Sequence, residues 1–91
     1  MTPGVRADTH LGQNLAHYLK VELKRQKVTY EELARRVASL GGKETEASIA
    51  SKLSRGTPTA AFLVLVLKAI DKKTTIDEIY NEISGFSHSE G

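Results

Sequence analysis

The chain has 91 residues, no cysteine and a formal net charge of +2. That length provides for one domain, whose folding hides roughly 60–65% of the unfolded chain's surface, and the missing cysteines exclude disulfides, thiolate zinc sites and a cysteine nucleophile. The composition fits a reducing cytoplasm, the expected location. No apolar leader opens the chain, and its longest apolar run, residues 60–67, is far shorter than the ~20 residues that span a bilayer, so neither export nor a membrane partner is expected.

Residues 1–10 contain Pro3 and Gly4 and have no periodicity, which predicts a flexible N-terminal tail. The domain is expected over residues 11–84, with a second flexible tail over residues 85–91. Leu11, Leu15, Leu19 and Leu23 recur every four residues and predict a first helix from Leu11 to Gln26. Tyr18 and Gln26 flank that stripe; Lys20, Lys24 and Lys27 lie off it.

A second helix is expected after Thr29, an N-cap whose capping box Glu32 would complete. Its apolar stripe is Leu33, Val37 and Leu40, and Arg35 and Arg36 point outward. Gly41-Gly42 ends it. A third begins at Thr45 or Glu46, where Ser48 offers no reciprocal carboxylate. Ile49, Ala50 and Leu53 face inward in this pattern, Ser48, Ser51, Lys52 and Arg55 outward, and Gly56 terminates it. A fourth helix starts with Pro58 at or near its first position. Phe62, Leu63, Val66, Leu67 and Ile70 form its stripe, Val64 and Leu65 fall outside it, and a helix so apolar is expected to be buried all round. After a turn at residues 71–74, Thr75 and Glu78 form a capping box for a fifth helix, with Ile76, Ile79, Tyr80 and Ile83 as its apolar side. The fold class is therefore all-α, with five short helices.

Charge is uneven. Residues 20–55 hold nine bases and five acids, whereas residues 71–91 hold two bases and five acids. A basic half beside an acidic half suits a polyanionic partner on one side. Catalysis finds little support: His10, His17 and His88 are scattered, Glu31 and Glu32 are adjacent and diverge, and no nucleophile elbow, phosphate loop or metal motif is present. No enzyme activity, cofactor or metal is expected.

Val28-Thr29-Tyr30-Glu31-Glu32-Leu33-Ala34 resembles the first motif helix of the phage-repressor-like helix-turn-helix family of the xenobiotic-response-element type. Residues 49–58, Ile-Ala-Ser-Lys-Leu-Ser-Arg-Gly-Thr-Pro, resemble its recognition helix and the turn that follows. The chain is also similar, and more closely, to a small bacterial family of unassigned function with a matching core at residues 44–49 and 52–57. The first resemblance implies a five-helix helix-turn-helix domain, a homodimer acting on double-stranded DNA as a transcriptional regulator, with the third helix in the major groove. On that reading Ser48, Ser51, Lys52 and Arg55 reach bases or phosphates, Thr29 and Tyr30 touch the phosphate backbone, and Lys43 and Thr45 join them from the entry to the third helix. Val64 and Leu65 are the candidate dimer contact. Two features depart from the family. Its tight inter-helix turn is replaced by a longer segment with two glycines, and Glu44 and Glu46 put two acids at the recognition helix's tip. These departures favour the alternative, a helical protein-interaction or dimerisation module that does not bind DNA.

Overall fold

A computed structural model describes the backbone of residues 3–88 and the side chains of residues 10–84. Five α-helices, and no strand, make up the described residues: α1 (Pro3–Gln26), α2 (Tyr30–Ser39), α3 (Glu46–Arg55), α4 (Ala60–Ala69) and α5 (Ile76–His88). Two outer boundaries differ from the sequence expectation. α1 begins at Pro3 rather than Leu11, and α5 runs past residue 84, so residues 3–10 and 85–88 are helical. Pro3 is the physical reason at the first end, because proline is compatible with the first helical position, where its missing N–H loses no bond. Residues 1, 2 and 89–91 of the expected tails lie outside the described residues.

The helix starts are fixed by hydroxyl caps. Thr29, Thr45, Thr59 and Thr75 accept from the backbone N–H groups of Glu32, Ser48, Phe62 and Glu78, at 3.0–3.1 Å. The box at α5 is complete, since the Thr75 N–H donates to Glu78 Oε1 at 3.1 Å. At α2 the expected box is only half formed, because the Glu32 carboxylate turns to Arg35 and Arg36 instead. At α3 the reciprocal bond comes from a hydroxyl, with the Thr45 N–H donating to Ser48 Oγ at 2.9 Å. The cap of α4 is Thr59, so Pro58 precedes the helix rather than opening it.

Helices α1 to α4 all end in a left-handed residue, at Lys27, Gly41, Gly56 and Asp71. In each case the following N–H closes a six-residue ring, for example Val28 to the Leu23 carbonyl at 2.9 Å and Thr57 to the Lys52 carbonyl at 3.0 Å.

One core joins the helices: Leu19 and Leu23 of α1, Leu33 and Val37 of α2, Ile49 and Leu53 of α3, Phe62 and Val66 of α4, and Ile79 and Ile83 of α5. α1 packs against α3 and α5, and α2 against α3 and α4. Several expected core positions are exposed instead: Leu11, Leu40, Ile76 and Tyr80 all face solvent. Leu11, Leu40 and Ile76 lie at the ends of their stripes, and Tyr80 lies at the edge of the α5 stripe, turned away from buried Ile79 and Ile83. α4 is not buried all round, since Val64 is 66% exposed. Leu65 is half-buried and packs on the core, so the two residues expected to form a dimer contact do not present one surface.

The tightest approach is between glycines. A Cβ on Gly12 would stand 2.2 Å from the Gly56 carbonyl oxygen, and one on Gly56 would stand 3.0 Å from Gln13 Cα. α1 can lie against the C-terminus of α3 only because both side chains are hydrogen. Gly12→Ala should therefore destabilise by about 1–3 kcal/mol through overpacking. In an open helix interior the same change stabilises by roughly 0.5–1 kcal/mol. A urea midpoint unchanged or raised in this variant would refute the contact.

Candidate nucleic-acid interface

The α2–α3 connection covers residues 40–45, longer than the three- or four-residue turn of compact helix pairs. Gly41, at φ +92°, reverses the chain. Gly42 then passes so close to α2 and α4 that a Cβ there would stand 2.6 Å from Val37 Cγ1 and 2.9 Å from Leu65 Cδ1. The remaining residues bring Lys43, Glu44 and Thr45 to the start of α3.

Glu44 does not present its charge at the tip. Its side chain is only 8% exposed and turns inward along α3. It accepts from Ser48 Oγ at 2.6 Å and from Lys52 Nζ. Burial pushes its carboxyl up, but the hydrogen bonds from Lys52 and Ser48 and the Lys52 charge outweigh this, so the net shift is below the ordinary carboxylate value. Lys52 Nζ also sits 5.0 Å from the centre of the Phe62 ring. Of the expected acidic tip, only Glu46 remains exposed.

This inward pair shifts the open face of α3. Ser48 and Lys52 were expected to point outward, but both are half-buried and bonded to Glu44. Ile49 and Leu53 are fully buried, and at about 100° per residue the side of the helix opposite them centres on Ser51, flanked by Ala47 and Arg55, with Ser54 and Ser48 at its two edges. Ala47 and Ser54 are exposed and Ser51 is half-exposed. Arg55 borders that face and is exposed, and Lys43 is exposed at the other end. Neither cation has an ion pair among the described residues. The sequence pattern missed Ala47 and Ser54; the angle from Ile49 and Leu53 points to Ala47, whereas Ser54 differs from Ser48 only because Glu44 holds Ser48 half-buried.

Thr29 is exposed and Tyr30 half-exposed at the start of α2. They line an open groove of about 570 Å³ with Lys20, Leu23, Lys24, Lys27 and Val28. Arg35 and Arg36 are committed elsewhere. Both pair with Glu32, and Arg36 also reaches the Ala69 carbonyl at 3.4 Å. The bonds from Arg35 and then Arg36 hold the Glu32 carboxyl below its usual value.

In the same last turns of α1, Glu22 is buried. It accepts from Arg25 at 2.7 Å and Gln26 at 2.9 Å, with Lys72 3.6 Å away. The Gln26 bond leads in lowering its carboxyl; desolvation works against it, and the Arg25 bond and the charges of Lys72 and Arg25 add to the lowering. This is a structural tie from α1 to the α4–α5 turn. No cluster of metal-ligating side chains occurs among the described residues, and no helix is long and apolar enough to cross a membrane.

Residues 12–75 match the model of a domain of unknown function, DUF6471. No curated protein and no solved structure matches the chain significantly.

Because the folded Glu44 carboxyl lies below its unfolded value of 4.5, its pairing contributes stability in full above that pH and loses it as pH falls further. Glu44→Gln should be less stable than the parent at pH 7, and the gap should close with acidification below pH 4.5. Paired urea titrations at several pH values read this directly. A gap independent of pH would contradict the ion pair.

Proposed function

We propose that this chain, a member of the DUF6471 family, is a helix-turn-helix protein of the phage-repressor-like kind that binds double-stranded DNA as a transcriptional regulator. The observation that carries the reading is the open face of α3. Ala47, Ser51 and Ser54 lie between two exposed cations, Lys43 and Arg55, that have no ion pair among the described residues.

Small side chains on that face let the helix approach base edges closely. In a major groove the Ala47 methyl suits a thymine methyl, and the Ser51 and Ser54 hydroxyls can donate or accept. Arg55 would donate to guanine or phosphate, and Lys43 and Thr45 would meet the backbone at the helix's entry. Thr29 and Tyr30 offer hydroxyls to a flanking phosphate. Ser48 and Lys52 serve this surface indirectly, by folding Glu44 away from the polyanion. Folding Glu44 away thus removes one of the two acids whose charge an acidic tip would present to the phosphates. A second copy, contacting the first through Val64, would place two such helices on one face of the duplex.

One observation favours a second reading, a protein-interaction module. The Glu44–Lys52 pair neutralises the central cation of α3, and the long α2–α3 connection sits beside it. On that reading the chain self-associates and leaves DNA free.

Fluorescence anisotropy with a random duplex at 50–200 mM salt separates the two. The DNA reading predicts binding that weakens steeply with salt. Arg55→Ala should then lose about 1–3 kcal/mol if Arg55 reads a base, or flatten the salt slope by about one if it holds a phosphate. Oligomers in light scattering with no duplex binding at the lowest salt would overturn it.

A further inference from the structure

Among the described residues some cations are paired and others are not. Arg25, Arg35, Arg36, Lys52 and Lys72 each pair with a carboxylate. Lys20, Lys24 and Lys27 have no ion pair among the described residues, and all three are exposed. Lys20 and Lys24 stand at i and i+4, so they share one side of α1's last turns about 6 Å apart along the axis, and Lys27, the left-handed residue just past the helix, lines the same groove. Like charges at that spacing repel by a few tenths of a kcal/mol per pair. No carboxylate relieves them, although Glu22 on the same helix is within reach of Arg25 and Lys72. The crowded arginines of α1 and α2 are thus compensated, whereas this lysine row is left open.

The row is also one wall of a groove. Lys20, Lys24 and Lys27 line the same open channel as Thr29 and Tyr30, the backbone-facing pair of the proposed interface. The channel's apolar residues, Leu23 and Val28, are buried at 2% and 7% exposure. They offer no apolar stripe for entering a lipid interface, which such a surface would need. Hydroxyls and ammonium groups around a channel suit a phosphodiester strand.

We propose that Lys20, Lys24 and Lys27 form the main phosphate-holding surface of this protein, a clamp on the DNA backbone contiguous with Thr29 and Tyr30. The proposal rests on the DNA-binding reading and deepens it. α3 then provides groove contacts with little net charge, and α1 provides most of the salt-dependent affinity. The arginines of α2, which stand out in the sequence as the more prominent basic pair, contribute little because Glu32 holds them.

The test compares two full-length double variants with the same change in net charge, Lys20→Gln/Lys24→Gln and Lys68→Gln/Lys73→Gln. Lys68 and Lys73 are exposed and unpaired among the described residues but lie outside the channel. Circular dichroism first establishes that both variants fold. Duplex affinity is then measured from 50 to 300 mM salt. Loss of two phosphate contacts lowers the log–log salt slope by about two and weakens binding about 100-fold at 50 mM. The expected result is that loss for the α1 pair, and near-parental binding for the control pair. Adding Lys27→Asn, a residue tolerated in the left-handed conformation, should remove a further unit of slope. If the parent binds duplex and both pairs weaken equally, the clamp is overturned and the DNA reading stands. If the parent binds no duplex, or binds only phosphatidylglycerol vesicles, both fall together.

Discussion

The hydrogen atoms of two glycines set the geometry on which everything else depends. Where Gly12 of α1 meets the Gly56 carbonyl, no side chain could be inserted without separating the helices. Gly56 is at the same time the left-handed residue that ends α3. One residue thus both terminates the helix and sets its depth against α1. With that end held down, Ile49 and Leu53 reach the core, and the side of α3 bearing Ala47, Ser51 and Ser54 is left facing away from the body.

Charge placement follows from the same packing. Because Leu53 and Phe62 are drawn into one core, Lys52 lies across the Phe62 ring and meets Glu44. The shielded carboxylate makes that contact stronger than a surface pair would be. At α2, a shared carboxylate holds both arginines along their own helix. The net charge is small, and among the described residues the cations without an ion pair include the α1 lysine row, Lys43 and Arg55 on the proposed interface and Lys68 and Lys73 away from the α1–α2 channel.

Much of the fold was legible in the sequence because capping and periodicity are local. Thr29, Thr45 and Thr75 announce helix starts, Gly41 and Gly56 announce ends, and the inner residues of each stripe are buried as their spacing implies. The sequence was less informative wherever tertiary competition decides. Glu32 could close a capping box or bind arginines, and two arginines outbid one N–H. Ser48 was discounted for lacking a carboxylate, yet its hydroxyl completes the box. Lys27 adopts a left-handed conformation that nothing in its chemistry advertises, whereas Asp71 belongs to a type that tolerates it. Ile76 and Tyr80 fit a stripe, but no neighbouring helix reaches them. The interface was legible in location and displaced in detail. Glu44 closes over Lys52 from eight positions away, a contact that helical spacing cannot reveal, and its consequence is that the open face turns toward Ala47 and Ser54.

The central claim is that the exposed side of α3 and the α1–α2 channel together receive a nucleic-acid backbone. Two-dimensional ¹H–¹⁵N correlation spectra recorded during titration with a short random duplex test it most directly. The account predicts that amides of Ser51, Ser54, Arg55, Thr29, Tyr30 and Lys24 shift together in one saturable transition, while those of Ile76 and Tyr80 stay in place. Shifts confined to Val64, Ile76 and Tyr80, or a spectrum indifferent to DNA, would contradict it.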